Sequence, residues 1–242
     1  MSNMENKTLV NGVNWLKKDE KWVYTVSDIT NNRLVILLNE WERLEGRLDV
    51  PEWTKVFIIA NNIDTSVKLI SSKNTSIRTY WLGNVEIRNA KEVHNKKIRW
   101  WAINQIINWN VINNNVTFVF NENVRWNVTN LNISLDTKNR YVYWSVVNKN
   151  SSWAVLNYKV DKSTYNESIR WNISNISVEE VINYDIQGDV SNSFINWNVD
   201  NFNIAWIITN KEVKWIITTL NKTYYKYLWL LRLIKKAFKL ED

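Results

Sequence analysis

A chain of 242 residues with no cysteine and a single histidine excludes a disulfide framework, a cysteine-ligated zinc centre and a histidine-based catalytic site. Its net charge of +7 is spread over 31 basic and 24 acidic residues interspersed along the chain, which predicts a solvated surface and no nucleic-acid partner. The composition is abnormal in one respect: 16 Trp stand against 4 Gly, where glycine ordinarily makes up about 7% of a sequence.

Residues 1–53 read as an N-terminal lead-in or cap with irregular strands. Met1 to Lys21 is polar and lacks the basic start, apolar run and small-residue cleavage site of a secretory signal, so a cytoplasmic location is expected. Strands are predicted at Val23 to Val26 and Leu34 to Leu38, with Asn31 and Asn32 as the turn between them. The segment 54–220 reads as a β-solenoid, entered through strands at Val56 to Ile59, Val67 to Ile70 and Val85 to Ile87.

From about Gly83 a repeat takes over. Its form is Ile/Val-x-Trp/Gly-x-Val/Ile-x-Asn, as in Ile107-Asn108-Trp109-Asn110-Val111-Ile112-Asn113. The central position is occupied by Gly83, Trp109, Trp126, Trp144, Trp153, Trp171, Gly188, Trp197, Trp206 and Trp215. The closing asparagines are Asn113, Asn130, Asn148, Asn157, Asn175, Asn192, Asn201 and Asn210, and Thr219 replaces the last. The step is about 9 residues or 17 to 18. Short strands at fixed spacing without helical stretches predict an all-β, single-stranded β-solenoid of about 17–18 residues per coil. Val and Ile then form interior columns. The asparagines are expected at turns closing the strands, each bonded to its copies above and below.

Tryptophan fits this repeat badly. Strict alternation points it inward, overpacking a narrow coil, and the outward option leaves a long apolar ribbon. Glycine fits a close approach between coils, and Gly83 and Gly188 occupy this position. The same exchange makes ordinary strand-turn-strand sequence around Trp41 and Trp53. The hypothesis follows that many or all of the Trp residues are glycine in the native protein, UGA having been translated as Trp in a lineage that reads it as Gly. The alternative is a Trp-rich protein whose indoles are stacking platforms for sugars or bases.

From Tyr224 to Leu240 the period changes. Tyr227, Leu230, Leu231, Ile234 and Phe238 recur at helical spacing among lysines and arginines, which predicts an amphipathic helix over 224–240. It is expected to cap the last coil, or to lie on an anionic membrane through Leu231, Lys235 and Phe238. The apolar stretch here is broken by Arg232, Lys235 and Lys236, so no transmembrane helix is expected.

Little chemistry is visible. His94 reads as a surface or turn residue. Asp64, Asp136, Asp161, Glu179, Glu180, Asp185, Asp189 and Asp200 could converge between coils, as carboxylates do in solenoid polysaccharide-cleaving enzymes, but only Asp189 and Asp200 stand near equivalent repeat positions. No enzyme, metal or cofactor is expected.

With Trp read as Gly, the run Ile186-Gln187-Gly188-Asp189-Val190-Ser191-Asn192 through Ile217 resembles the bactofilins, bacterial cytoskeletal proteins whose coils carry recurring Gly-Asp-Ile or Gly-Asn-Val steps. The resemblance covers roughly Gly83 to Thr219. It implies a right-handed β-helix that polymerises end to end without nucleotide, with itself as partner, often at the inner face of the membrane. The second functional class left open is a surface or phage fibre solenoid that binds polysaccharide along its side.

Overall fold

The computed structural model describes residues 8–11, 23–26, 29–60 and 64–220. Nineteen strands pair in one parallel ladder, each with the strands one coil before and after it. This is a β-solenoid. Among the described residues there is no α-helix, and one short 3-10 turn, Thr30–Asn32, stands where Asn31 and Asn32 were expected to turn the chain. The C-terminal helix expected over 224–240 lies outside the described residues, as do Leu231, Lys235 and Phe238.

From Val93 onward each coil has two faces. One stacks Val111 on Val128, Val128 on Val146 and Val181 on Val199. The other stacks Val119 on Thr137, Thr137 on Val155 and Val190 on Ile208. A full turn takes 17 or 18 residues, as in the steps from Asn113 to Asn130 and from Asn130 to Asn148. Some strands, such as Val111–Val124 and Ile173–Ile186, run round a corner and serve both faces.

Within a half-coil the burial does not alternate strictly. Val128–Ile133 and Val190–Ile195 both place their first, third and sixth residues inward and the fourth and fifth outward. The fifth residue makes this possible. Asn115, Asn123, Asn132, Tyr141, Asn150 and their equivalents adopt φ between 53 and 58°, a left-handed turn that bends the strand and returns the next side chain to the core. Asparagine tolerates this conformation because its short amide can bond locally, and from Val93 onward it holds the position in five of the half-coils, at Asn115, Asn123, Asn132, Asn150 and Asn203.

The third residue corrects the expectation of a turn asparagine. Asn113, Asn130, Asn148, Asn157, Asn175, Asn192 and Asn201 lie inside strands and are buried between the two faces. Asn210 holds the same place, half-buried, in the last coils. All are bonded along their own column, and those from Asn113 to Asn175 are bonded across the coil as well. Asn148 accepts from Asn130 at 2.8 Å and from Asn139 at 3.3 Å, and donates to Asn157 at 3.2 Å and to Asn166 at 2.8 Å. That uses both amide protons and both carbonyl lone pairs, so a buried polar side chain carries no desolvation debt. Asn95, Asn104, Asn121, Asn139, Asn166 and Asn183 complete the ladder. Five of these follow corners that carry no Trp or Gly at the repeat position, and Asn104 follows Trp100 with Ala102 in place of the second Val or Ile, so a pattern of Trp/Gly followed by Val/Ile does not include them.

The N-terminal region belongs to the same ladder. Thr8–Asn11 pairs with Leu34–Leu37, and Arg33–Leu38 pairs with Lys55–Ala60, so the ladder continues across residue 53 and the lead-in contains a paired strand. Strands at Val23–Thr25, Lys55–Ala60, Ser66–Ile70 and Asn84–Arg88 match the predicted ones closely; Arg43–Asp49 and Ser76–Tyr80 were not predicted. Here the interior is filled by Leu34, Ile36, Leu44, Val56, Ile58, Leu69 and Ile77 instead of asparagine. The change of core falls at Thr79, whose hydroxyl donates to Asn95 at 2.6 Å and opens the ladder.

Candidate functional site

Four features could carry function: the corner columns, the end of the last coil, the scattered carboxylates and a trough along one side.

The Trp/Gly positions of the repeat fall on two corners. Trp109, Trp126, Trp144, Trp197 and Trp215 share one of them. Gly83, Trp153, Trp171, Gly188 and Trp206 share the other. The motif therefore straddles a corner: its first Ile or Val ends one strand and its second begins the next. Alternation is broken there, and the indoles point outward with about half of their surface exposed. Rings stack between coils, at 5.9 Å for Trp109 and Trp126, 5.5 Å for Trp126 and Trp144, 5.9 Å for Trp153 and Trp171, and 6.1 Å for Trp197 and Trp215. Between Trp144 and Trp197 the column is interrupted by Lys162 and Glu179, paired at 3.2 Å.

Gly188 behaves differently from its neighbours. It is buried, and a Cβ there would lie 2.5 Å from the carbonyl carbon of Trp171 and 2.6 Å from its oxygen. No rotamer change relieves a clash with backbone, so position 188 itself admits only glycine. Three tryptophans outside the regular repeat also stand where glycine is favoured: Trp41 at φ 64°, Trp53 at φ 66° and Trp81 at φ 57°.

At the C-terminal end the coil is open among the described residues. Val199, the inward residue of the preceding coil, is fully buried, whereas Ile217 stacked on it is 45% exposed. Ile208 and Val213 are only half-buried. The ladder also stops short. Thr219 takes the place of asparagine beside Asn201, and the buried Nδ2 of Asn201 has no acceptor.

The carboxylates do not converge. Asp189 sits at a corner, accepting the amide of Ile207 at 3.1 Å, whereas Asp200 lies on the outer side of Val199–Ile204, so the two are not equivalent. Asp185 accepts from Asn203 and Glu179 pairs with Lys162. His94 lies in strand Glu92–Ile107, not in a turn, with Nε2 3.2 Å from Glu92. The His94 imidazole beside it holds the Glu92 carboxyl below its ordinary value, against the opposing effect of burial. Among the described residues no group of His, Asp and Glu could hold a metal ion.

The trough was not anticipated. It runs along the left-handed bends of one face, with Asn115, Asn132, Asn150, Ser168, Asp185 and Asn203 on one lip and Thr117, Ser134, Ser152, Arg170 and Gln187 on the other. The space between them is about 810 Å³. The signal for it in the sequence is an asparagine two places after the buried one, as in Asn130 and Asn132 or Asn148 and Asn150.

The fold and these surfaces define a two-faced parallel β-solenoid protein. No protein-family model, curated protein or solved structure matches the chain.

Proposed function

We propose that the chain is a structural scaffold of the bactofilin kind, which assembles with copies of itself through the ends of its coil and carries out no reaction. The observation that supports this most directly is the last described coil, where, among the described residues, Ile208, Val213 and Ile217 leave apolar surface uncovered and Asn201 lacks an acceptor. An unpaired parallel strand edge of this kind is a template for another chain. Electron microscopy of the purified full chain tests it. Unbranched filaments are expected, lost in the double variant Val213→Lys with Ile217→Lys while the β-sheet circular dichroism persists. A discrete monomer at every concentration would overturn the reading.

The same proposal includes glycine as the native residue at tryptophan positions, through UGA read as glycine. Its support is local. Trp41, Trp53 and Trp81 have left-handed backbones, and the buried Gly188 shares a corner with Trp171 and Trp206. Glycine costs least in such backbones and removes an exposed apolar ribbon. Mass spectrometry of native peptides across Ile195 to Lys222 decides it. Glycine at 197, 206 and 215 is expected, and tryptophan there would refute recoding and return the stacked indoles as a binding surface.

A further inference from the structure

We propose that the trough between Asn115 and Gln187 is a binding site for a linear, uncharged glycan lying parallel to the solenoid axis. The inference goes beyond the scaffold reading and uses none of the tryptophan positions, since no indole lines the trough.

Three observations carry it. The first is periodicity. Equivalent side chains on each lip recur once per coil, at about 4.8 Å, which is close to the advance per sugar in an extended hexose chain. Repeated contacts therefore stay in register, as they do not for a compact ligand.

The second is chemistry. Apart from Asp185 and Arg170, both lips are made of amides and hydroxyls, groups that donate and accept and so suit hydroxyl-bearing rings. Asn132 donates to Asn114 at 3.2 Å and Asn150 to Asn132 at 3.0 Å, so the amides are held in a row before any ligand arrives. Preorganised donors lose less entropy on binding.

The third is charge. Arg170 and Asp185 are the only ionic groups on the lips, of opposite sign, and Asp185 is already engaged by Asn203. A polyanion such as a nucleic acid needs many cations along its path and finds one. The space of about 810 Å³ lies within the range of ligand clefts.

The test is isothermal titration of the full chain with cellohexaose, chitohexaose and maltohexaose, each beside its disaccharide. One hexasaccharide is expected to bind at least tenfold more tightly than its disaccharide, because about five coil steps of 4.8 Å engage several sugars at once. The double variant Asn132→Gly with Asn150→Gly removes two lip amides and keeps a residue suited to the left-handed backbone. It is expected to weaken that binding at least tenfold and to leave filament formation unchanged, which separates this proposal from the scaffold reading. Failure of all three hexasaccharides to bind, equal binding by the double variant, or preferential binding of a single-stranded oligonucleotide would overturn it.

Discussion

Asn130 and Asn148 are 18 residues apart in the chain and one coil apart in space, the Nδ2 of Asn130 donating to the Oδ1 of Asn148 at 2.8 Å. From Asn95 to Asn192 the amides are all oriented in this way, donating toward the C-terminal coils. Replacing one link therefore disturbs four partners. Asn148→Leu leaves donors on Asn130 and Asn139 and acceptors on Asn157 and Asn166 unmatched, and is expected to cost about 3 kcal/mol or more. Urea unfolding followed by circular dichroism measures it.

At the end of the ladder the reverse substitution should stabilise. Thr219→Asn places an amide oxygen beside the unpaired Nδ2 of Asn201, a gain of about 1 kcal/mol. An unchanged urea midpoint would show that Asn201 is satisfied by other means.

The left-handed bend gives a second stabilising change. Ile106 adopts φ 57° with a β-branched, exposed side chain, a conformation that costs such residues roughly 1–2 kcal/mol. Ile106→Gly is expected to recover about 1 kcal/mol. The same substitution at Val124, buried in the next coil, should destabilise strongly, and the contrast between the two midpoints is the check.

Gly188→Ala should be disproportionately harmful for so small a change. The new methyl would meet the Trp171 carbonyl at 2.5 Å, and separating the two backbones costs about 1–3 kcal/mol. Thermal melts of Gly188→Ala beside Ala205→Gly, at an exposed corner nearby, separate the steric effect from a general corner effect.

Stability should also depend on pH through Glu92. Its carboxyl is lowered from 4.5, foremost by the neighbouring His94 imidazole. A depressed carboxylate contributes stability that is fully present above its unfolded value and is lost as pH falls through the folded one. The urea midpoint should therefore drop as pH goes below about 4.5, and Glu92→Gln should show a shallower drop.

Much of this architecture is legible in the sequence. The repeat gives the solenoid and its period, and valine and isoleucine at fixed offsets give the interior columns. What escapes is local. Ile107, Trp109 and Val111 look like one alternating strand, yet a corner lies between them, and nothing in the spacing separates a pleat from a corner. The inward asparagines escape for a related reason. A buried amide is costly alone and becomes favourable only when a second row faces it across the coil, as Asn139 faces Asn148. The trough depends on the bend at Asn132 and Asn150, which no alternating pattern contains. Its trace in the sequence is the doubled asparagine of some half-coils, as at Asn113 and Asn115, Asn130 and Asn132, and Asn148 and Asn150.

The one-way orientation of the amide ladder bears on how the chain is made. A polypeptide leaving the ribosome presents its N-terminal coils first, and each completed coil exposes amide protons that only the following 17 or 18 residues can accept. The ladder thus has a direction: every turn accepts from the donor rim of the one before it and presents the next. Within this scheme Thr79 is the initiator, a hydroxyl that delivers the first proton. Thr219 is the terminator, a side chain too short to receive the last.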